Sequence, residues 1–313
     1  MNFTGQHVLL TGASSGLGRE LAVVLSDRGA VLTLSGRDPH RLQETATALH
    51  QRAPKSPAPT LLPADLAIPA QASGLVQQAR QVRGGLDVLI NNAGMGAYGE
   101  VRRMSARHYE QQVQVNLLAA IRLTLTALPH FERQGSGLVV NMASAAALHG
   151  VPYLSGYSAS KAGLVAFSQS LRAELSDSRV RVALVYPGYL QTGFFAHEEK
   201  VGGARRPEGP YLAPEIAARR IVAALERDRL DIHIGRDAAM LRLAVRISPW
   251  LVGRIMCRLA RRLTTKAEIP SHQQPKAAVD QVGATLLQQP PPPTLPPGQP
   301  TLVRGPKTAS LIP

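Results

Sequence analysis

The stretch HVLLTGASSGLGREL (residues 7–21) passes from a short apolar run into a glycine-rich turn and then into a helical pattern. Gly12, Gly16 and Gly18 fall between the two, with the spacing G-x3-G-x-G. Glycine at a strand-to-helix turn lets the backbone bend sharply and approach a phosphate closely. The adjoining helix offers unpaired N–H groups and the positive end of its dipole. A tight βα turn needs glycine for its own sake, so the motif takes its meaning from the rest of the chain.

The rest of the chain is a βα series. Strand-like runs recur at HVLLT (7–11), VLTLS (31–35), TLLP (60–63), LDVLIN (86–91), GLVVNM (137–142), VRVALVY (180–186) and DIHI (231–234). Amphipathic stretches lie between them, among them 17–27, 105–133 and 157–176. Near-continuous apolar strands alternating with helices imply a parallel sheet covered on both faces. The expected fold is α/β: a Rossmann-type, doubly wound parallel sheet of about seven strands, in one domain over residues 1–235. The segment 196–213, AHEEKVGGARRPEGPYLA, is polar and rich in Gly and Pro, and reads as a mobile loop. Residues 236–263 read as a basic helical extension, broken near Pro249. Residues 264–313 include QQPPPPTLPPGQP and read as a disordered tail with polyproline character.

Composition excludes several function classes. A chain of 313 residues with 44% hydrophobic content can bury a sizeable core. One cysteine, Cys257, rules out an intramolecular disulfide and suits a reducing, cytoplasmic setting. No basic, apolar leader opens the chain, and no uncharged apolar run reaches 18 residues. The net charge of +14 is uneven: residues 1–235 hold 24 Lys/Arg against 18 Asp/Glu, and residues 236–313 hold 11 against 3. No helix-turn-helix, zinc or RNA-binding signature accompanies that charge, so neither nucleic acid nor a metal site is expected.

The end of the second strand bears on the cofactor. Enzymes that bind NAD usually carry an acid there for the ribose 2′-hydroxyl. Here the strand runs into Gly36 and Arg37. A guanidinium suits a 2′-phosphate, which a carboxylate would repel. Asp38 comes one step later and is placed to cap the next helix, with Pro39 at its first position. The reading favours NADP(H) over NAD(H).

TGASSGLG (11–18), NNAG (91–94), Asn116, Ser144, YSASK (157–161) and PGYLQT (187–192) occur in that order. Together they resemble the short-chain dehydrogenases/reductases in their single-domain form, over about residues 4–235. The resemblance implies a cofactor held by Gly12, Ser14, Ser15, Gly16, Leu17 and Gly18, with Asp65 and Leu66 at the adenine. Asn92, Ala93 and Gly94 would run beside it, and Asn91 would steady the central strand. Pro187, Gly188 and Thr192 would hold the nicotinamide end. Asn116 would anchor a water that relays protons to Lys161. A homodimer or homotetramer is the assembly such a resemblance implies.

Tyr157 and Lys161 stand four apart, on one face of a helix. An unperturbed tyrosine, with a pKa of about 10, is a poor acid–base catalyst at neutral pH. A neighbouring ammonium favours the phenolate, and a catalyst works best with a pKa near the operating pH. Tyr157 is therefore the expected general acid in carbonyl reduction, or base in alcohol oxidation. The small Ser158, Ala159 and Ser160 would let the cofactor approach the helix. Ser144, after the fifth strand, would donate to the substrate oxygen.

The substrate pocket is expected from Met95, Ala145, Ala146, His149, Val151, Tyr153, Tyr189, Phe194 and Phe195. Most are apolar, which suits a hydrophobic ketone, aldehyde or lipid-like carbonyl. A 3-oxoacyl thioester is a variant of that reading, and a non-catalytic NADP-sensing or scaffold protein an alternative to it. The retained Asn116, Ser144, Tyr157 and Lys161 weigh against the latter. The basic stretch MLRLAVRISPWLVGRIMCRLARRL (240–263) admits two readings: an anionic membrane surface, or an apolar face packed on the domain or on a second subunit.

Overall fold

The computed structural model of the chain describes residues 1–54, 56–192, 199–201 and 211–263. Seven strands form one parallel sheet: β1 (His7–Thr11), β2 (Val31–Ser35), β3 (Thr60–Leu61), β4 (Val88–Asn91), β6 (Gly137–Met142), β7 (Val180–Pro187) and β9 (Asp231–Ile234). Their spatial order is β3-β2-β1-β4-β6-β7-β9. The chain winds outward from β1 to β3, returns beside β1 as β4, and then winds the other way. The crevice between β1 and β4 is thus the topological switch point, where such sheets bind ligands.

Strand residues alternate between two cores because successive side chains point to opposite faces. On one face Val8, Leu10, Ile90, Val140 and Val185 pack with helices α1 (Gly16–Asp27) and α7 (Pro214–Glu226), through Leu21, Leu25, Ile221 and Leu225. On the other, Leu9, Leu89, Val139 and Val182 meet α3 (Pro69–Arg83) and α5 (Ala119–Gln134), through Leu75, Val76, Leu123 and Phe131. Burial on both faces explains why the strands read as apolar runs rather than as strict alternation. A buried polar chain crosses the second core. Asn91 donates to Asn141 (2.8 Å) and Thr124 (3.3 Å), and Asn141 donates to Ser168 (2.8 Å). These bonds tie β4 and β6 to α5 and to α6 (Ser155–Glu174).

Several elements differ from the sequence reading. The helical stretch 105–133 is three pieces: α4 (Ala106–Val113), a π-helical turn (Gln114–Leu118) and α5. Pi-turns insert an extra residue into the ladder and often occur at functional sites; this one buries Asn116. Within 196–213, Glu199–Val201 forms strand β8, paired in parallel with β5 (Ala97–Gly99), and Leu212 bridges Leu190. Three-residue strands are too short to show a periodicity. The remaining loop residues of that segment up to 210, and the tail from 264, lie outside the described residues.

The described residues up to 263 fall in one compact unit. Helices α8 (Arg236–Ile247) and α9 (Pro249–Leu263) belong to it, through buried Ala238 and Val252. Pro249 starts α9, where its missing N–H removes no intrahelical bond. Among the described residues no helix is long and apolar enough to cross a membrane.

Candidate active site

A cavity of about 800 Å³ runs along the carboxyl ends of the strands. One end is built by the glycine-rich turn. Gly12 has φ +65, and a Cβ there would meet the Ala93 backbone at 2.8 Å. A Cβ on Gly18 would lie 2.0 Å from the Gly12 carbonyl oxygen, so only glycine lets α1 begin this close to β1. No side chain caps α1 and no acid occupies its first turn. Its first N–H groups therefore remain a site for anionic oxygen. Ser14, Ser15, Gly16 and Leu17 line this end. Asn92 locks it, donating from Nδ2 to the carbonyls of Thr11 (3.0 Å) and Gly12 (3.2 Å).

Arg37 lines the cavity beside Gly36, at the end of β2. Asp38 also lines the cavity; its Oδ1 accepts from the N–H groups of His40 and Arg41 at the start of α2 (Pro39–Arg52), and its Oδ2 lies 3.7 Å from Arg41 Nε. Arg41 joins Arg37 in the lining. The sequence reading overlooked Arg41, although its place four residues after Arg37 was the available signal. Asp65 and Leu66 border the same end, and an Asp65 carboxylate oxygen accepts from the Ala67 N–H.

At the other end Ser144, Tyr157 and Lys161 converge. Lys161 is 3% exposed, and its Nζ donates to the Met142 carbonyl at 2.7 Å and lies 5.9 Å from the Tyr157 ring centroid. Burial lowers its pKa from the usual 10.5 to about 8, so the ammonium still predominates at neutral pH. Ser144 is buried, with Oγ accepting from the Ala146 N–H (3.1 Å), which leaves its O–H to donate. Asn116 does not line the cavity. Its Oδ1 accepts from Met95 N (2.8 Å), and its Nδ2 donates to the Met95 carbonyl (2.8 Å) and Ser160 (2.9 Å). Its side chain thus pins the loop after β4, where a Cβ on Gly94 would reach within 3.5 Å of Lys161 Nζ.

Met95, Ala145, Ala146, Val151 and Tyr189 line this end, as do Ala93, Gly94, Pro187, Gly188 and Thr192. Four expected pocket residues do not join them. His149 lies outside the lining, with Nδ1 against the Gly150 carbonyl. Tyr153 is turned away at φ 66; its hydroxyl donates to the Ala260 carbonyl of α9 (2.9 Å) and its ring packs on Tyr98. Phe194 and Phe195 lie outside the described residues. Ser158 and Ser160 are both buried, Ser158 Oγ accepting from Val151 N and Ser160 Oγ from Asn116 Nδ2.

The sequence reading offered the extension an apolar face packed on the domain as one alternative, but gave it no residue in the pocket. Leu241 of α8 and Met256 and Leu259 of α9 wall the cavity. The signal was their place opposite the arginines on each helix. Asp237, in the first turn of α8, accepts from the Tyr189 N–H at 2.7 Å. A Cβ on Gly188 would lie 2.1 Å from its carboxylate. The loop after β7 is therefore clamped by the extension.

The family model for short chain dehydrogenase matches residues 6–201. The chain belongs to the short-chain dehydrogenases. It is an oxidoreductase of that family, acting between CH–OH and C=O groups. It is similar to the ketoacyl reductase HetN of Nostoc, at 37% identity over 80% of this chain and 88% of the relative. A fatty acyl-CoA reductase of Acinetobacter baylyi is 32% identical over 76% of this chain and 80% of its own. Among solved structures, a short-chain dehydrogenase from Sphingobium yanoikuyae in complex with NADPH aligns with a TM-score of 0.68 at 27% identity. It covers 85% of this chain and 99% of its own. Short-chain dehydrogenases thus account for the fold and for the order of the motifs.

Proposed function

We propose that this short-chain dehydrogenase is an NADP(H)-dependent reductase of a hydrophobic ketone, aldehyde or acyl-chain carbonyl, with Tyr157 as its general acid. The observation that carries this reading is the buried Lys161 ammonium beneath the Tyr157 ring, in one cavity with the glycine turn. The cavity fits a dinucleotide. It has N–H donors at α1 for the diphosphate, Arg37 and Arg41 for a 2′-phosphate, and a glycine, Gly94, where the loop passes Lys161.

When bound, the nicotinamide supplies the hydride in reduction and accepts it in oxidation. Ser144 donates to the carbonyl oxygen as negative charge builds on it. Tyr157 Oη delivers the proton to that oxygen, and takes it back in the reverse direction. The Lys161 ammonium stabilises the phenolate left behind. Asn116 is a positioning residue that acts through Met95 and Ser160. Asp237 positions Gly188 and Tyr189 in the same sense.

Leu241, Met256, Leu259, Val151 and Leu154 make the substrate end apolar, which supports a chain-bearing carbonyl over a small polar one. A 3-oxoacyl thioester is the second reading, favoured by the similarity to a ketoacyl reductase. A homodimer or homotetramer in a reducing cytoplasm completes the proposal. The test is NADPH consumption against ketones, aldehydes and 3-oxoacyl thioesters, with NADH in parallel. Tyr157→Phe is expected to abolish turnover while NADPH still binds. Near-normal turnover by that variant refutes the assignment.

A further inference from the structure

A helix on the surface of a domain normally has one apolar stripe, facing the core. Helices α8 and α9 have a second. Their inner faces carry Ala238, Leu241, Val252, Met256 and Leu259, buried or lining the cavity. Their outer faces carry Met240, Leu243, Ile247, Trp250, Leu251 and Ile255, all exposed, with Ile247 74% and Trp250 69% accessible. Met240, Leu243 and Ile247 stand at i, i+3 and i+7, one continuous stripe along α8. Trp250 and Leu251 extend it into the first turn of α9. Only five other large apolar residues are exposed among the described residues, and they are dispersed over the rest of the fold. Scattered apolar residues need no explanation, but a contiguous patch does.

The polar part of this face has one sign. Arg236, Arg242, Arg246, Arg254, Arg258, Arg261 and Arg262 are all exposed. The single acid of the two helices, Asp237, is engaged with Tyr189. None of the seven arginines forms an ion pair among the described residues. Arg254 lies over the Trp250 ring, 4.8 Å from its centroid. Arginine beside an exposed tryptophan and an aliphatic stripe suits a lipid interface, where the ring lies at headgroup level and the guanidinium meets phosphate.

We propose that the outer face of the α8–α9 pair docks on an anionic lipid bilayer. The stripe Met240–Leu243–Ile247–Trp250 enters the interface, and the arginines bind its headgroups. Charge argues for this occupant over a second copy, because a symmetric dimer through this face would bring two clusters of seven unpaired guanidinium groups together. The aliphatic stripe argues against nucleic acid, which would contact the arginines and leave Leu243 and Ile247 in water. The same two helices wall the cavity from inside, so docking brings the substrate end of the site next to the bilayer. That a docked enzyme draws its carbonyl substrate from the membrane rests on the reductase reading; docking itself does not.

Trp250 is the only tryptophan of the chain, so its emission reports this face alone. The full-length protein is mixed with vesicles of phosphatidylglycerol and phosphatidylcholine in equal parts, and with phosphatidylcholine alone. Sedimentation and Trp250 emission are then measured without substrate. Binding and a blue shift are expected with the anionic vesicles only. Replacing Arg246, Arg254 and Arg258 by glutamine is expected to weaken partitioning roughly 100-fold, at about fivefold per arginine. Leu243→Ser with Ile247→Ser is expected to weaken it as well, while reduction of a water-soluble carbonyl stays unchanged in both variants. Tyr157→Phe should dock like the wild type, which separates a failure of docking from a failure of the chemistry. Four results would each overturn the proposal: no binding to anionic vesicles at low salt; equal binding by the Leu243/Ile247 variant; Trp250 emission that turns blue with protein concentration, the mark of a second copy; or emission already blue in the lipid-free monomer, the mark of a covering segment of the same chain.

Discussion

Replacing Lys161 by methionine separates what this residue contributes to stability from what it contributes to chemistry. Methionine keeps the length and loses the charge. The ammonium is held with a pKa of about 8 instead of 10.5, because it is buried. At about 1.4 kcal/mol per pKa unit, burying the charged form destabilises the fold at pH 7 by about 3 kcal/mol. Between these two values the unfolded chain binds more protons than the folded one, so stability rises as pH rises from 8 towards 10.5. The substitution removes that penalty but leaves the buried Met142 carbonyl without its 2.7 Å donor, a loss of about 2 kcal/mol. The variant should therefore be more stable at pH 7 by about 1 kcal/mol, a rise in Tm of roughly 2–4 °C for a domain of this size. Between pH 7 and 9.5 the wild type regains about 2 kcal/mol on the variant, so the order of stabilities reverses. The assay is thermal unfolding of the cofactor-free protein, followed by circular dichroism at half-unit steps of pH, with turnover measured alongside and expected to vanish. A stability difference that stays constant from pH 7 to 9.5 would refute the reasoning, since a buried ammonium that titrates in this range must make it change.

Three further outcomes are expected. Arg37→Ala should raise Kd for NADPH about 10- to 100-fold and leave NADH little changed, each charge-assisted bond contributing about 1.5–3 kcal/mol; the double variant with Arg41→Ala should bind both alike. Gly18→Ala places a Cβ 2.0 Å from the Gly12 carbonyl oxygen, and the forced backbone shift should lower stability by about 3 kcal/mol, read as a fall in Tm of about 6 °C or more. Burial pushes His7, His130 and His233 below the usual histidine pKa, so below about pH 6.5 the unfolded chain takes up protons that the folded one refuses. Tm should fall on acidification from pH 7 to 5, and His7→Gln should reduce the slope.

Much of this protein is written in local sequence. Backbone and side-chain periodicities are short-range, so Val8-Leu9-Leu10 and Val139-Val140 reveal strands buried on both faces without knowledge of what covers them. A cap is equally local, and so is part of the glycine turn: Gly18 answers to the Gly12 carbonyl and Asp38 to N–H groups two and three residues on, whereas Gly12 answers to Ala93, 81 positions away. Tyr157 and Lys161 share a helix face by spacing alone. The β5–β8 pair, by contrast, joins three-residue segments about a hundred positions apart, with too few residues to show any pattern. The same holds for Tyr153, which the sequence offered to the pocket and the fold gave to Ala260, 107 residues away. Whether the basic extension leaves the domain or closes its active site depended on Asp237 meeting Tyr189 and on Leu241, Met256 and Leu259 facing the cavity. Amphipathicity says that a helix has an apolar side; only the packing of distant elements decides what that side covers, and in α8 and α9 it also leaves a second apolar stripe uncovered.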